Sequence, residues 1–169
     1  MANAMPFVAL STAQIGKCGE LLVQSRLLKY AIESAPMATD TGIDLVAYAP
    51  ASRRALTIQV KTNLRPKRAG GKGALSVDWW VPCDSPAELV ALVDLESDRV
   101  WLLTHEEVDR FAQQRPEGRL HFYFYTETAI WPKDAGKHAR EYEAYRIENR
   151  IMEVFGTSGP VKEDVSSAG

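Results

Sequence analysis

The chain has 169 residues, close to the roughly 150 of one ordinary domain, with 46% apolar and 25% charged residues. That composition excludes collagenous, coiled-coil and disordered chains, and a chain of this size holds a core without structural metal or disulfides. The net charge of −2 argues against a protein that coats nucleic acid generally, yet it is an average over two unlike parts. From Leu45 to Val77 there is no Asp or Glu but there are seven Lys and Arg, so this stretch carries +7 and the remainder −9.

In chain order, the first periodic segment spans Thr12 to Glu33. Ser11 and Gln14 have capping-box spacing, and Ile15, Cys18, Leu21, Leu22, Leu28 and Ile32 recur at helical intervals, so an amphipathic helix is expected, stopped by Pro36. Turn residues fill Thr39 to Gly42. Ile43–Ala49 and Ala55–Thr62 read as two strands of a β-hairpin. Arg65–Gly73 combines Pro, three Gly and four basic residues and is expected to be a mobile basic loop. Ser76–Val81 is a further strand. Leu89–Leu95 and Arg99–Leu103 form a second hairpin, apolar enough for burial on both faces.

Thr104 and Glu107 repeat the capping-box spacing ahead of a short helix, and His121–Tyr125 reads as another strand. A long amphipathic helix is expected from Ala135 to Phe155, carried by Ala144, Ile147, Ile151 and Val154. Residues 1–155 are thus expected to form one domain and 156–169 a flexible tail. No apolar run approaches the ~20 residues of a transmembrane helix and no secretory signal is evident, which points to a cytoplasmic protein without membrane contact. Cys18 and Cys83 are too far apart to form a ligand pair and are expected as buried apolar residues, while the three His show no metal-ligand spacing.

The chemistry concentrates in the first hairpin. Pairing Ala49 with Arg54 sets Asp44 across from Gln59, with Cβ atoms about 5 Å apart. Strand alternation puts Gln59 and Lys61 on one face and Ile58 and Val60 on the other. A carboxylate, an amide oxygen and an ammonium then converge on one patch suited to a hydrated divalent cation and a phosphate. Asp44, the Gln59 side-chain oxygen and the Val60 carbonyl are the candidate metal ligands. Lys61 is placed to orient or activate a nucleophile and to steady negative charge in the transition state. Glu20 shares a helical ridge with Lys17 and Gln24 that can face the same patch.

Gly42-Ile43-Asp44, the strand–turn–strand spacing, Gln59-Val60-Lys61 and the preceding helix with Gly19-Glu20 together resemble the PD-(D/E)xK phosphodiesterase superfamily. The QxK form of the second motif is similar to that of Mrr-type restriction enzymes and related bacterial domains. The resemblance covers roughly Gln14 to Asn63. It implies a restriction-endonuclease-like α/β (α+β) fold, with a mixed central sheet flanked by helices. It also implies a nuclease dependent on Mg²⁺ or Mn²⁺, in which Asp44 is a metal ligand, Gln59 occupies the acidic position, Lys61 is the catalytic lysine and Glu20 a supporting acid.

The expected substrate is DNA, met by Lys17, Arg65, Lys67, Arg68 and Lys72 through its phosphates. A homodimer would serve to cut two strands. Gln59 departs from the family pattern by removing one negative charge from the metal site. A catalytically silent member of the fold, binding nucleic acid or a protein in the manner of an immunity protein, is the alternative. Trp79 and Trp80 point to opposite faces of their strand, so at most one can stack on a base. The aromatics of His121–Tyr125 are expected in the core or an oligomer interface.

Overall fold

The computed structural model describes residues 9–126 and 136–156. Helix α1 (Thr12–Leu28) opens with the capping box expected at Ser11 and Gln14. It ends five residues before the expected Glu33, because Ala31 turns the chain at φ 57° and the Ile32 N–H returns to the Leu27 carbonyl. This left-handed stop is usually glycine, so no glycine announced it. Its buried stripe is Gly19, Val23 and Leu27, whereas Leu21 and Leu28 of the expected apolar face are exposed.

The residues released from that helix form strand β1 (Glu33–Pro36), which pairs antiparallel with β2 (Leu45–Ala49). Pro36 sits at the sheet edge, where its missing N–H costs no ladder bond. The Gln24 amide donates to the Ser34 carbonyl at 3.2 Å and ties β1 to α1, so Gln24 serves packing and not the polar ridge expected of it.

Strand β3 (Arg54–Asn63) pairs with β2 in the expected register, Ala49 opposite Arg54 and Leu45 opposite Ile58. On its other edge β3 runs parallel to β6 (Leu89–Asp94), which pairs antiparallel with β7 (Arg99–Thr104). The five-stranded mixed sheet thus has the order β1-β2-β3-β6-β7. A parallel pair needs a crossover, commonly a helix. Here the crossover contains β4 (Lys67–Arg68), a short 3₁₀ turn (Ala69–Gly71) and β5 (Leu75–Pro82). The basic stretch expected as a loop is therefore partly a strand, held by Lys67 opposite Ser76 and Arg68 opposite Leu75.

Helix α2 (His105–Phe111) starts at the Thr104–Glu107 capping box, and β8 (Arg119–Tyr125) pairs with β5 to complete a second, three-stranded sheet of order β4-β5-β8. The expected long final helix is a 3₁₀ segment (Ala139–Tyr145) followed by α3 (Ile147–Phe155), broken where Arg146 is extended at ψ 138°. Its expected start at Ala135 and the tail beyond Gly156 lie outside the described residues.

Two apolar layers flank the large sheet. Leu89, Ala91 and Val93 of β6 meet α1 and α3, while Val90 and Leu92 meet β5, β8, α2 and the 3₁₀ segment. That double burial is why β6 is apolar at nearly every position. Arg150, only 7% exposed, joins the layers by bonding both Glu107 carboxylate oxygens at 2.8 and 2.9 Å, and it also bonds Glu153 at 2.7 Å. Cys18 is half-buried, but Cys83 is exposed in the turn after β5, contrary to the burial expected of it.

Candidate active site

The site forms where β2 and β3 part. Their ladder ends at the Leu45–Ile58 pair, but β3 continues to Asn63, which leaves the Val60 N–H without a β2 carbonyl. Asp44 supplies the missing acceptor: its Oδ2 accepts from the Val60 N–H at 2.6 Å, while its own N–H donates to the Ile58 carbonyl at 2.9 Å. Strand alternation buries Leu45 and Ile58 on the α1 side, so Asp44, Gln59 and Lys61 share the opposite face.

Gln59 is 4% exposed, and its Oε1 is buried without a hydrogen-bond partner among the described residues. An unpaired buried amide oxygen costs about 1–3 kcal/mol, so Gln59 Oε1 is left with acceptor capacity that a cation at this position would meet. The loop before β2 closes over it. Gly42 has φ +79°, and a Cβ there would stand 3.0 Å from Pro86 Cδ and 3.9 Å from Gln59 Nε2. The Asp40 carboxylate accepts from the Gly42 N–H at 3.3 Å, the turn role expected of it.

Helix α1 brings Glu20 alongside. It approaches β3 so closely at Gly19 that a Cβ would overlap Thr62 Oγ1 and lie 2.9 Å from Thr62 Cβ. Burial pushes the Asp44 carboxyl above the ordinary Asp range; the Val60 N–H and Lys61 pull it down, and Glu20 and Asp40 push it further up. Asp44, Gln59 and Lys61 are thus brought together on one face, and Glu20, on the helix that covers the other face, lies near enough to Asp44 to raise its carboxyl. Glu20 is not free, however: it is ion-paired with Lys17 one turn earlier, which also occupies the Lys17 ammonium expected to meet DNA.

Among the described residues, no three Asp, Glu, His or Cys side chains lie close enough together to hold a metal ion. The donors present are one carboxylate with a spare oxygen and one unpaired amide oxygen. That set suits a cation such as Mg²⁺, which takes one or two carboxylates and keeps several waters, and does not suit a dehydrated all-protein cage. The ligand expected from Val60 is its main-chain carbonyl; the N–H of the same residue is committed to Asp44.

The expected phosphate contacts divide between two places. Arg65 and Lys72 are exposed, whereas Lys67 and Arg68 line a recess of about 370 Å³ on the outer face of the three-stranded sheet. Asp78, Gln114, His121 and Tyr123 also line it, and sequence reasoning missed them all. The alternation in His-Phe-Tyr-Phe-Tyr held the signal, because Phe122 and Phe124 are buried while His121, Tyr123 and Tyr125 face the recess. The two tryptophans separate as expected. Trp79 is buried and donates to the Val93 carbonyl at 3.1 Å. Trp80 is 40% exposed and stacks on His121 at 3.9 Å between ring centroids.

A mixed sheet flanked by helices, with an acid at the end of one strand and the Gln-Val-Lys strand beside it, is a restriction-endonuclease-like fold, as the motif resemblance implied. The chain is similar to the bacterial homing endonuclease I-Ssp6803I, with a TM-score of 0.56 and 15% identity over 88% of this chain and 94% of that one. It also matches Archaeoglobus fulgidus Hjc, a Holliday junction resolvase from an archaeal hyperthermophile, at a TM-score of 0.49 and 17% identity, covering 85% and 97% of the two chains. No protein-family model and no curated protein matches the sequence. No helix among the described residues is long and apolar enough to cross a membrane.

Proposed function

We propose that the chain is a metal-dependent nuclease that hydrolyses DNA phosphodiester bonds, with Asp44, Gln59 and Lys61 as its working residues. The observation that carries this reading is the unpaired, buried Gln59 Oε1 on the same face of β3 as Lys61, beside a carboxylate already locked to that strand. We read Gln59-Val60-Lys61 as the QxK variant of the superfamily motif, of the kind found in Mrr-type enzymes.

The Lys61 ammonium meets the scissile phosphate and steadies the negative charge that grows on its oxygens in the transition state. Asp44 and Gln59 would hold Mg²⁺ or Mn²⁺, which would supply a more acidic water and offset phosphate charge. Asp44 needs its negative charge for this work, and Lys61 favours that charged form. Glu20, paired with Lys17, adds negative potential from α1 and acts at a distance. Cutting both strands of a duplex calls for a second copy of the chain.

DNA cleavage is expected to require Mg²⁺ or Mn²⁺ and to fall about 10²–10³-fold in both Asp44→Ala and Lys61→Ala, the loss usual when one transition-state stabiliser is removed. Turnover persisting in both variants removes the assignment. A second reading, a silent binder of DNA, is favoured by the absence of a cluster of three acidic, His or Cys ligands among the described residues. Gln59→Glu separates the two. Divalent-dependent cleavage absent in the wild type and present in this variant identifies a binder with a decayed metal site.

A further inference from the structure

The recess on the outer face of the small sheet has the chemistry of a nucleotide site. Its volume of about 370 Å³ lies in the range of small-ligand pockets, roughly 300–1,000 Å³. Lys67 supplies a cation on one wall, next to Arg68, whose Nη1 donates to the Gly73 carbonyl at 3.2 Å, and Tyr123 supplies an aromatic ring on another. Between them runs a hydrogen-bonded chain. Asn63 Nδ2 donates to Asp78 Oδ1 at 3.3 Å, Asp78 Oδ2 pairs with His121 Nε2 at 3.0 Å, and His121 Nδ1 pairs with Gln114 Oε1 at 3.2 Å. Trp80 stacks flat on the His121 ring and Arg119 lies 5.5 Å from the Trp80 ring centre, so the imidazole is fixed from its far side.

The recess adjoins the candidate active site along β3. Asn63 is two residues beyond Lys61 on the same face, about 6.6 Å by the rise of a strand. Asn63 also donates to the Asp78 main-chain carbonyl at 3.0 Å, which joins β3 to the floor of the recess.

We propose that this recess holds one unpaired nucleotide of the DNA, its phosphate on Lys67 and its base against Tyr123. An aromatic wall with hydrogen-bonding groups beside it can take a base only when the base is out of the double-helical stack, so the substrate class is DNA carrying an unpaired nucleotide. The inference takes from the preceding reading only that DNA is the ligand, and it does not depend on cleavage.

Binding of the full chain to three labelled DNAs tests it, measured by fluorescence anisotropy in EDTA so that no strand is cut. The DNAs are a single strand, its perfectly paired duplex, and the same duplex with one extra unpaired nucleotide. Tighter binding to the first and third is expected. Tyr123→Ala should weaken those two about 5- to 100-fold, the loss of one base stack, and leave the paired duplex unchanged. Tyr123→Phe, which keeps the ring, should retain the preference. Lys67→Glu should weaken the same two DNAs without disturbing the core. Equal affinity for all three DNAs, or a Tyr123→Ala loss shared equally by all three, overturns the proposal. A preference for the unpaired nucleotide without Lys61-dependent cleavage in Mg²⁺ supports this site and removes the nuclease reading alone. Lys61-dependent cleavage without that preference does the reverse.

Discussion

In the proposed nuclease, Asp44 sets stability against activity. Its carboxyl is pushed up by burial and by Glu20, so the folded chain holds its proton more tightly than the unfolded chain does. The sign follows. The contribution is fully favourable below the ordinary Asp value of about 3.9 and is lost as pH rises through the elevated folded value, so at neutral pH the ionised group costs stability. Asp44→Asn keeps an acceptor for the Val60 N–H and removes the charge. It is therefore expected to raise the melting temperature at pH 7, a gain that disappears at acid pH, while lowering cleavage about 10²–10³-fold. Mg²⁺ should raise the melting temperature of the wild type, by about 2.7 kcal/mol of stability at a hundredfold excess over Kd, and leave Asp44→Asn unchanged. At this scale the sequence was informative. Hairpin register and alternation were enough to set Asp44, Gln59 and Lys61 together. The Lys17–Glu20 ion pair could not be read, because helical spacing says which residues can meet and not which partner each one takes.

Among the elements, α1 decides the shape of the site. Gly19 lets it lie against Thr62 of β3, and this contact sets where Glu20 stands. Gly19→Ala must push helix and strand apart; overpacking of this kind costs about 1–3 kcal/mol, measurable by urea unfolding. In a Thr62→Ala background the cost should shrink, since the hydroxyl that the new methyl overlaps is gone. Element types were mostly legible where strand patterning or a capping box marked them, as in β3, β6 and the starts of α1 and α2, although the stripe that α1 buries is not the expected one. Boundaries failed for identifiable reasons. Ala31 ends α1 without a glycine, which hid β1, and Arg146 adopts an extended conformation inside an otherwise helical pattern. Lys67 and Arg68 look like loop residues because a two-residue strand has no periodicity to show.

Across the whole molecule, charge is segregated: +7 on Leu45–Val77 against −9 elsewhere. The basic segment includes all of β3 and β4, so its cations flank both the candidate active site and the recess. DNA binding should therefore weaken with salt. Replacing Arg65, Lys67, Arg68 and Lys72 by Ala should flatten the dependence of log K on log salt by about 0.7 to 0.9 for each phosphate contact removed. A slope unchanged by all four substitutions would place the DNA on another surface. The pattern of charge was legible from residue order; the recess was not, since it needs residues from β4, β5, β8 and the loop after α2 to meet.

The crossover between β3 and β6 also bears on how the protein acquires its site. Asp44, Gln59 and Lys61 lie on neighbouring strands of one hairpin and can meet after closure of a short turn. The strand beside them arrives only after residues 64–88 have been laid down between β3 and β6. Local pairings form ahead of distant ones because less chain entropy is lost in closing them. Asp44, Gln59 and Lys61 are therefore expected to assemble early, exposed on a lone hairpin. The enclosing walls are expected to follow with the parallel pairing, so the candidate site and the surface that screens it are completed at different stages of folding.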